Sequence, residues 1–454
     1  MTQVPCSQPV AAPPTKAWKS LSQWLPPRDV DSDYWWKLTG EHLATMLDAA
    51  GYTLQRQYDA LLFHYHWIVP YMGPKPKPDG SLQWPSLLGV EGSPMEYSWK
   101  WNTPTSEPDV RFTMEAINRF AGTSLDPLNQ TASREMLHRI SEAVPTIDLT
   151  WVNHFFATLF DHDISKYNAE AAAGAHFATS VCHAVEFLPK GLSLKTYFVP
   201  RRLGHEGQIP LALWEESLGK LNPDSAARAT LYDFLNNNPE GKHLSPFMLA
   251  VDDVVPEKSR LKFYFQTPHT SFSSVREIIT LGGRISVPEE KLEDLRTLIA
   301  AVTGLEDDFP VDAEVPCAPE YDPAAKENFI ELPILLSGYL YYFDIAPGAA
   351  LPSIKFYTPV RRYGQDDLSL ARATVAWMKA HGRGEYCDRY LSMLQSLSQH
   401  RRLDEGKGLQ TYVSCLIKKD GELDITSYIG PEAFDPARLN GSKVNGTKVN
   451  GTKG

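Results

Sequence analysis

One unit recurs five times along this chain, a pair of strand-like stretches followed by helix, and it constrains the fold more than any other feature. The pairs are Glu96–Trp101 with Val110–Ala116, Ala184–Phe187 with Leu192–Val199, and Phe247–Val251 with Ser259–Phe265. Leu340–Ile345 with Ile354–Pro359 and Thr411–Ile417 with Leu423–Tyr428 complete the set. Five ββ units separated by helical stretches point to one repeating antiparallel architecture rather than to several domains. A sheet of about ten strands tends to close, because closure removes its unpaired edges.

The chemistry follows from what the strands carry on each face. Three of them read Lys195-Thr-Tyr197, Arg260-Leu-Lys262-Phe-Tyr264 and Lys355-Phe-Tyr357. Residues two apart share a face of a strand, so cations and tyrosines fall together while Leu194, Leu261, Phe263 and Phe356 take the other side. Val110-Arg111-Phe112-Thr113-Met114 obeys the same rule and adds Arg111 to the polar face. If the apolar face packs on helices, the cationic face lines an interior. Like charges gathered there repel and are costly to desolvate, so an anion is expected to complete them. A diphosphate offers the charge and the acceptor oxygens that lysine and arginine recognise. Tyrosine rings beside it can attract a carbocation. Ionisation of an allylic diphosphate needs both features. Glu96, in Pro94-Met-Glu96-Tyr-Ser98, precedes the Arg111 strand and can hold an N–H or O–H of an aromatic acceptor. An amphipathic sheet with one wet face would give the same pattern, so the reading rests on the strands in combination.

Composition narrows the partners. The formal charge is −11 and the pI near 5.7, which argues against nucleic acid or an anionic membrane as partner. Five scattered cysteines contain no Cys-x-x-Cys pair, so neither a disulfide framework nor a cysteine zinc site is indicated. No apolar stretch of about 18 residues occurs, and the expected location is cytoplasmic. Residues 1–28 read as a flexible leader, 29–436 as a single barrel domain and 437–454 as a disordered tail. The sequons at Asn440, Asn445 and Asn450 fall in that tail. The first ordered helix is expected to be capped by Ser32 or Asp33 and to end at Gly51. A second is expected from Gln55 to Val69, stopped by Pro70.

Several stretches together carry a family resemblance over roughly residues 30–430. They include Tyr34-Trp35-Trp36, Gly51-Tyr52 with Gln57-Tyr58, Pro70-Tyr-Met-Gly73-Pro74, Pro94-Met-Glu96-Tyr-Ser98 and Val110-Arg111-Phe112. Gly122-Thr123 with Asp126-Pro127-Leu-Asn129, Thr280-Leu-Gly-Gly283 and the three cation–tyrosine strands add to them. In these the chain resembles the fungal indole prenyltransferases of the dimethylallyltryptophan synthase superfamily. The resemblance implies an α+β fold, the α-β-β-α prenyltransferase barrel, with ten antiparallel strands around a lumen ringed by helices. It implies a dimethylallyl diphosphate donor, an indole acceptor such as tryptophan or a tryptophan-containing cyclic dipeptide, and no cofactor or divalent metal. Diphosphate binding would fall to Arg111, Lys195, Tyr197, Arg260, Lys262, Tyr264, Lys355, Tyr357 and Tyr428, with Glu96 orienting the acceptor.

Departures from the family pattern matter. The family often has Gln where Lys355 stands. One of its C-terminal tyrosines is replaced by Leu423, and Tyr428 matches the other only with a one-residue shift. Members that alkylate C4 of tryptophan carry a lysine where this chain reads Val181-Cys182-His183-Ala184, which leaves Cys182 or His183 as candidate proton relays. A phenolic acceptor and a non-catalytic barrel binding an anionic lipid stay open as alternatives. Oligomeric state is left open too. Asp307-Asp308-Phe-Pro-Val-Asp312 resembles an Asp-rich magnesium motif only faintly, since Pro310 breaks the helix such a motif requires.

Overall fold

The computed structural model describes residues 9–77, 79–89, 91–175, 177–188, 191–202, 210–221, 225–317 and 338–439. The expected sequons lie outside these residues, as does most of the expected tail.

Ten strands form one closed antiparallel barrel. They are β1 (Met95–Lys100), β2 (Asp109–Met114), β3 (Val181–Leu188), β4 (Gly191–Phe198) and β5 (Ser245–Asp252). They continue as β6 (Leu261–Thr267), β7 (Tyr339–Ile345), β8 (Ser353–Thr358), β9 (Gln410–Ile417) and β10 (Leu423–Ile429). Each strand pairs with its sequence neighbours, and β1 closes the ring on β10. The chain therefore closes the antiparallel sheet that its five ββ units imply, and the helices inserted between successive pairs give the α-β-β-α arrangement that the resemblance implies. No helix among the described residues is long and apolar enough to cross a membrane.

The two strand faces have opposite jobs. Outward aromatics pack under the helices: Phe263 lies 6.2 Å from Trp214, Phe198 lies 5.3 Å from Phe156, and Trp101 lies 4.6 Å from Tyr390. Each such ring, removed from water, contributes on the order of 2–3 kcal/mol. The inner face carries the charges and tyrosines. Every residue of β6 is buried, its apolar side against helices and its polar side toward the enclosed lumen.

The chain before the barrel departs from expectation. Part of the supposed flexible leader is a helix, α1 (Lys16–Trp24), capped by the Thr15 hydroxyl. Its apolar face supplies the reason: Ala17, Trp18 and Leu21 are buried, and the Trp18 ring sits 5.0 Å from Trp36. Gly40 permits that contact, since a Cβ there would lie 2.6 Å from Trp36 and 2.9 Å from Trp18. The next helix starts earlier than Ser32 or Asp33. Asp29 caps α2 (Val30–Trp35) by accepting from the Asp31 and Ser32 amides, and a π-helical turn joins it to α3 (Glu41–Ala49). Gly51 stands just past the end at φ 82°, as expected. The second expected helix is α4 (Leu54–Phe63), extended by another π-helical turn and a 3-10 turn that contains Pro70. Residues 437–439, assigned to the tail, are helical, and Arg438 hydrogen-bonds the Leu397 and Pro431 carbonyls.

Candidate active site

Period two delivers the expected cations to the lumen, but they do not stand alone. Arg111 and Lys195 each meet Glu186 at 2.9 Å. Lys262 meets Asp252 at 2.7 Å. Arg260, one residue before β6, bridges Asp252 at 2.7 Å and Asp344 at 3.1 Å. Lys355 lies 3.9 Å from Asp424 and donates to the Thr426 hydroxyl at 3.3 Å. Lys100 joins the ring through Asp424 at 3.2 Å and Asp109 at 3.6 Å. Carboxylates thus stand between the cations, and the like-charge repulsion expected from the sequence is partly relieved within the protein. These acidic partners and Lys100 were not among the sequence candidates. The same period shows them once the inner face is known, as in Tyr342-x-Asp344 and Asp424-x-Thr426-x-Tyr428.

The electrostatics follow the geometry. Burial would raise Glu186, Asp252 and Asp424, yet neighbouring cations hold all three below the usual carboxylate range. Asp344 goes the other way, raised by burial that Lys262 and Arg260 only partly offset. Burial pulls the Lys262 ammonium down against the attraction of Asp252. Fixed cations of this kind can donate charge-assisted hydrogen bonds to the oxygens of an anion.

Above the ring lies a layer of tyrosines. Tyr264 is 5.9 Å from Tyr197, 5.3 Å from Tyr342 and 6.2 Å from Tyr357. Tyr428 is 5.7 Å from Tyr357 and 6.4 Å from Tyr412. The pairing register of β9 and β10 shifts between Ser427 and Ile429, and Tyr428 still faces the lumen. Burial holds the Tyr197, Tyr264 and Tyr357 phenols protonated, raising each far above its ordinary value. They can donate to a diphosphate and present ring faces to a cation.

Beyond the tyrosines opens a chamber with about 140 Å³ of free volume, lined by Glu96, Thr113, Cys182, Leu88, Met248 and Arg361, with Tyr197, Tyr264, Tyr357, Tyr412 and Tyr428. Glu96 stands four residues along β1 from Lys100, which is ~13 Å at the rise of a strand. Burial raises its carboxyl to about 7, opposed by a hydrogen bond from Thr411 and by the Arg361 charge.

The two relay candidates separate. Cys182 lines the chamber, where burial and then the charges of Glu115 and Glu96 push its thiol well up. His183 points the opposite way, because adjacent strand residues alternate faces. It is buried outside the barrel beside Thr196, at 3.2 Å, and burial lowers it to about 3. It is not among the residues that line the chamber, so the relay reading of His183 is corrected. Asp307 and Asp308 lie in a turn, as expected of a loop. Among the described residues one cluster has metal-type ligand atoms within 4.8 Å, His400, Glu432 and Asp435. Arg401 and Arg438 already hydrogen-bond its members, which makes it an ion-pair network.

Comparison with known proteins agrees with this geometry. The chain is 70% identical over 431 residues to prenyltransferase anuH of Penicillium roqueforti, covering 95% of both chains. It is 47% identical to xanthone prenyltransferase B of Emericella nidulans, covering 94% of this chain and 93% of that one. Its barrel superposes on the crystal structure of AnaPT from Neosartorya fischeri with a TM-score of 0.75 at 25% identity, covering 91% and 97% of the two chains. The tryptophan dimethylallyltransferase family model matches residues 31–393. This chain belongs to that family, and it is an aromatic prenyltransferase.

Proposed function

We propose that the enzyme moves a dimethylallyl group from dimethylallyl diphosphate onto the ring of a hydroxylated aromatic acceptor, without a divalent metal. The observation that carries this reading is Glu96, a half-buried carboxyl that lines the chamber and is raised to about 7, at the opposite end of the lumen from the cation ring. A phenol, with a pKa near 10, is within reach of such a base. An indole N–H is a far weaker acid. The 47% identity to an enzyme named for xanthone, an aromatic ketone with no indole, supports the same acceptor class.

The steps balance without a further reactant. The allylic C–O bond breaks, and pyrophosphate leaves into the Lys195, Lys262, Arg260 and Lys355 region. Fixed cations can take over the neutralising task that a metal performs elsewhere. The allyl cation is enclosed by Tyr197, Tyr264 and Tyr357, which exclude water. A ring carbon of the acceptor attacks it while Glu96 takes the phenol proton. The ring proton then passes to the released pyrophosphate as aromaticity returns, and Glu96 gives its proton back to the phenolate oxygen. An indole acceptor is the second reading, favoured by the tryptophan dimethylallyltransferase description of the matching family. Membership of a transferase family sets aside the non-catalytic lipid-binding alternative.

The test is to incubate the protein with dimethylallyl diphosphate, EDTA and matched panels of phenols and indoles, and to identify products by mass spectrometry. Prenylated phenols are expected. Products from indoles alone would overturn the acceptor, and activity abolished by EDTA and restored by magnesium would overturn metal independence.

A further inference from the structure

We infer that Arg361 selects the acceptor by binding an oxygen of a carbonyl or carboxylate group that the ring carries beside the hydroxyl held by Glu96. The inference rests on the phenolic reading above and extends it to a substrate class, the hydroxyaryl ketones, aldehydes and acids.

Arg361 belongs to the short helix Val360–Tyr363, which follows β8 directly, and its side chain lines the chamber. Its Nη2 donates to the Tyr412 hydroxyl at 3.4 Å, and the guanidinium lies 5.3 Å from that ring. Its Nε and Nη1 are buried without a hydrogen-bond partner among the described residues. The cations of the ring, Arg111, Lys195, Arg260, Lys262 and Lys355, each have a carboxylate within 4.0 Å. Arg361 has none among the described residues. A buried charged donor left unsatisfied costs more than it returns unless something arrives to accept from it.

Its position says what should arrive. Arg361 and Glu96 line the same chamber, and the Arg361 charge reaches Glu96. Both lie beyond the tyrosine layer, six residues past Lys355 in the one case and four before Lys100 in the other. The diphosphate therefore belongs to the far end, and the group that meets Arg361 belongs to the acceptor. A carboxylate on one side and a guanidinium on the other match a ring that presents a donor and an acceptor side by side. A hydroxyl next to a carbonyl carbon has that arrangement.

Paired acceptors test this: 2-hydroxyacetophenone against 2-ethylphenol, and 2-hydroxybenzoate against 2-methylphenol. The wild type should prefer the carbonyl member of at least one pair by ~10–100-fold in kcat/KM, the range of one hydrogen bond to a charged group. The ketone and acid pairs show which oxygen is taken. Arg361→Met should bring the ratio close to one, and Arg361→Lys should leave a reduced preference. A purely structural arginine would slow both members alike and leave the ratio where it was, which overturns the inference. A wild type without any preference overturns it too, with no variant needed. A third pair, indole-3-acetate against 3-ethylindole, separates the two proposals. If only indoles react, the phenolic reading fails, while the ratio within that pair still judges Arg361.

Discussion

The Thr411 hydroxyl donates to Glu96 Oε1 at 2.5 Å, reaching from β9 across β10 to β1. That bond favours the carboxylate, whereas burial, the larger effect, favours the acid and sets the group at about 7. If Glu96 acts as base, kcat/KM should climb as pH rises through about 7. Thr411→Val deletes a bond to the charged form and should move the midpoint upward. A midpoint that stays put or falls would remove Thr411 from the control of Glu96.

Glu96 should also leave a mark on stability. Its folded pKa lies above the ordinary glutamate value near 4.3, so the folded protein holds the proton longer than the unfolded chain. Stability contributed by the neutral group is present at pH 4 and is lost as pH climbs from about 4.5 through 7. The loss is on the order of 3 kcal/mol for a shift of this size. Glu96→Gln should flatten that slope, visible as melting curves at pH 5 and pH 8 that differ less than those of the wild type. The same variant should lose turnover by ~10²–10⁴-fold.

Much of this was legible in the sequence because strand alternation is a strict geometric rule. Lys195, Lys262 and Lys355 each sit two residues before a tyrosine, and a closed sheet leaves one face only to hold them. What stayed hidden depended on distance along the chain. Glu186 is an ordinary acid in β3 until the register sets Arg111 opposite it and Lys195 beside it. Arg361 lies past the end of β8, where alternation stops, so no periodic signal marked it. The helix Lys16–Trp24 was missed because its nine residues sit next to a Pro/Ala-rich stretch, and its partners Trp36 and Gly40 appear only in the folded chain.

The ion ring makes its own prediction through Asp252, which accepts from both Lys262 and Arg260 at 2.7 Å. Asp252→Asn strips the carboxylate from a buried ammonium and should destabilise the fold by roughly 3–5 kcal/mol. Inorganic pyrophosphate can supply the missing charge. Its addition should therefore raise the melting temperature of Asp252→Asn by more than it raises that of the wild type. Equal shifts would mean that the anion does not settle beside Lys262.

Acceptor binding should depend on a buried carboxylate that touches no substrate. Glu115, just past β2 and fully buried, accepts from Trp84 Nε1 at 2.6 Å, Asn129 Nδ2 at 3.0 Å and the Thr179 hydroxyl at 2.5 Å. Thr179 Oγ1 in turn accepts from the Leu87 amide at 2.8 Å. Leu87 and Leu88 line the chamber, so these bonds tie the segment 84–88 across it. Burial raises Glu115, and the donors around it oppose that rise. Glu115→Gln turns one accepting oxygen into an N–H₂ that faces other donors. The mismatch should cost ~1–3 kcal/mol of stability and loosen the strap. Apart from Arg111 on β2, the cations of the ion ring sit on or beside other strands, so the acceptor KM should increase severalfold while the KM for dimethylallyl diphosphate changes much less. Steady-state kinetics with each substrate varied in turn reads the split, and parallel increases in both constants would show that Glu115 supports the barrel as a whole instead of the acceptor end.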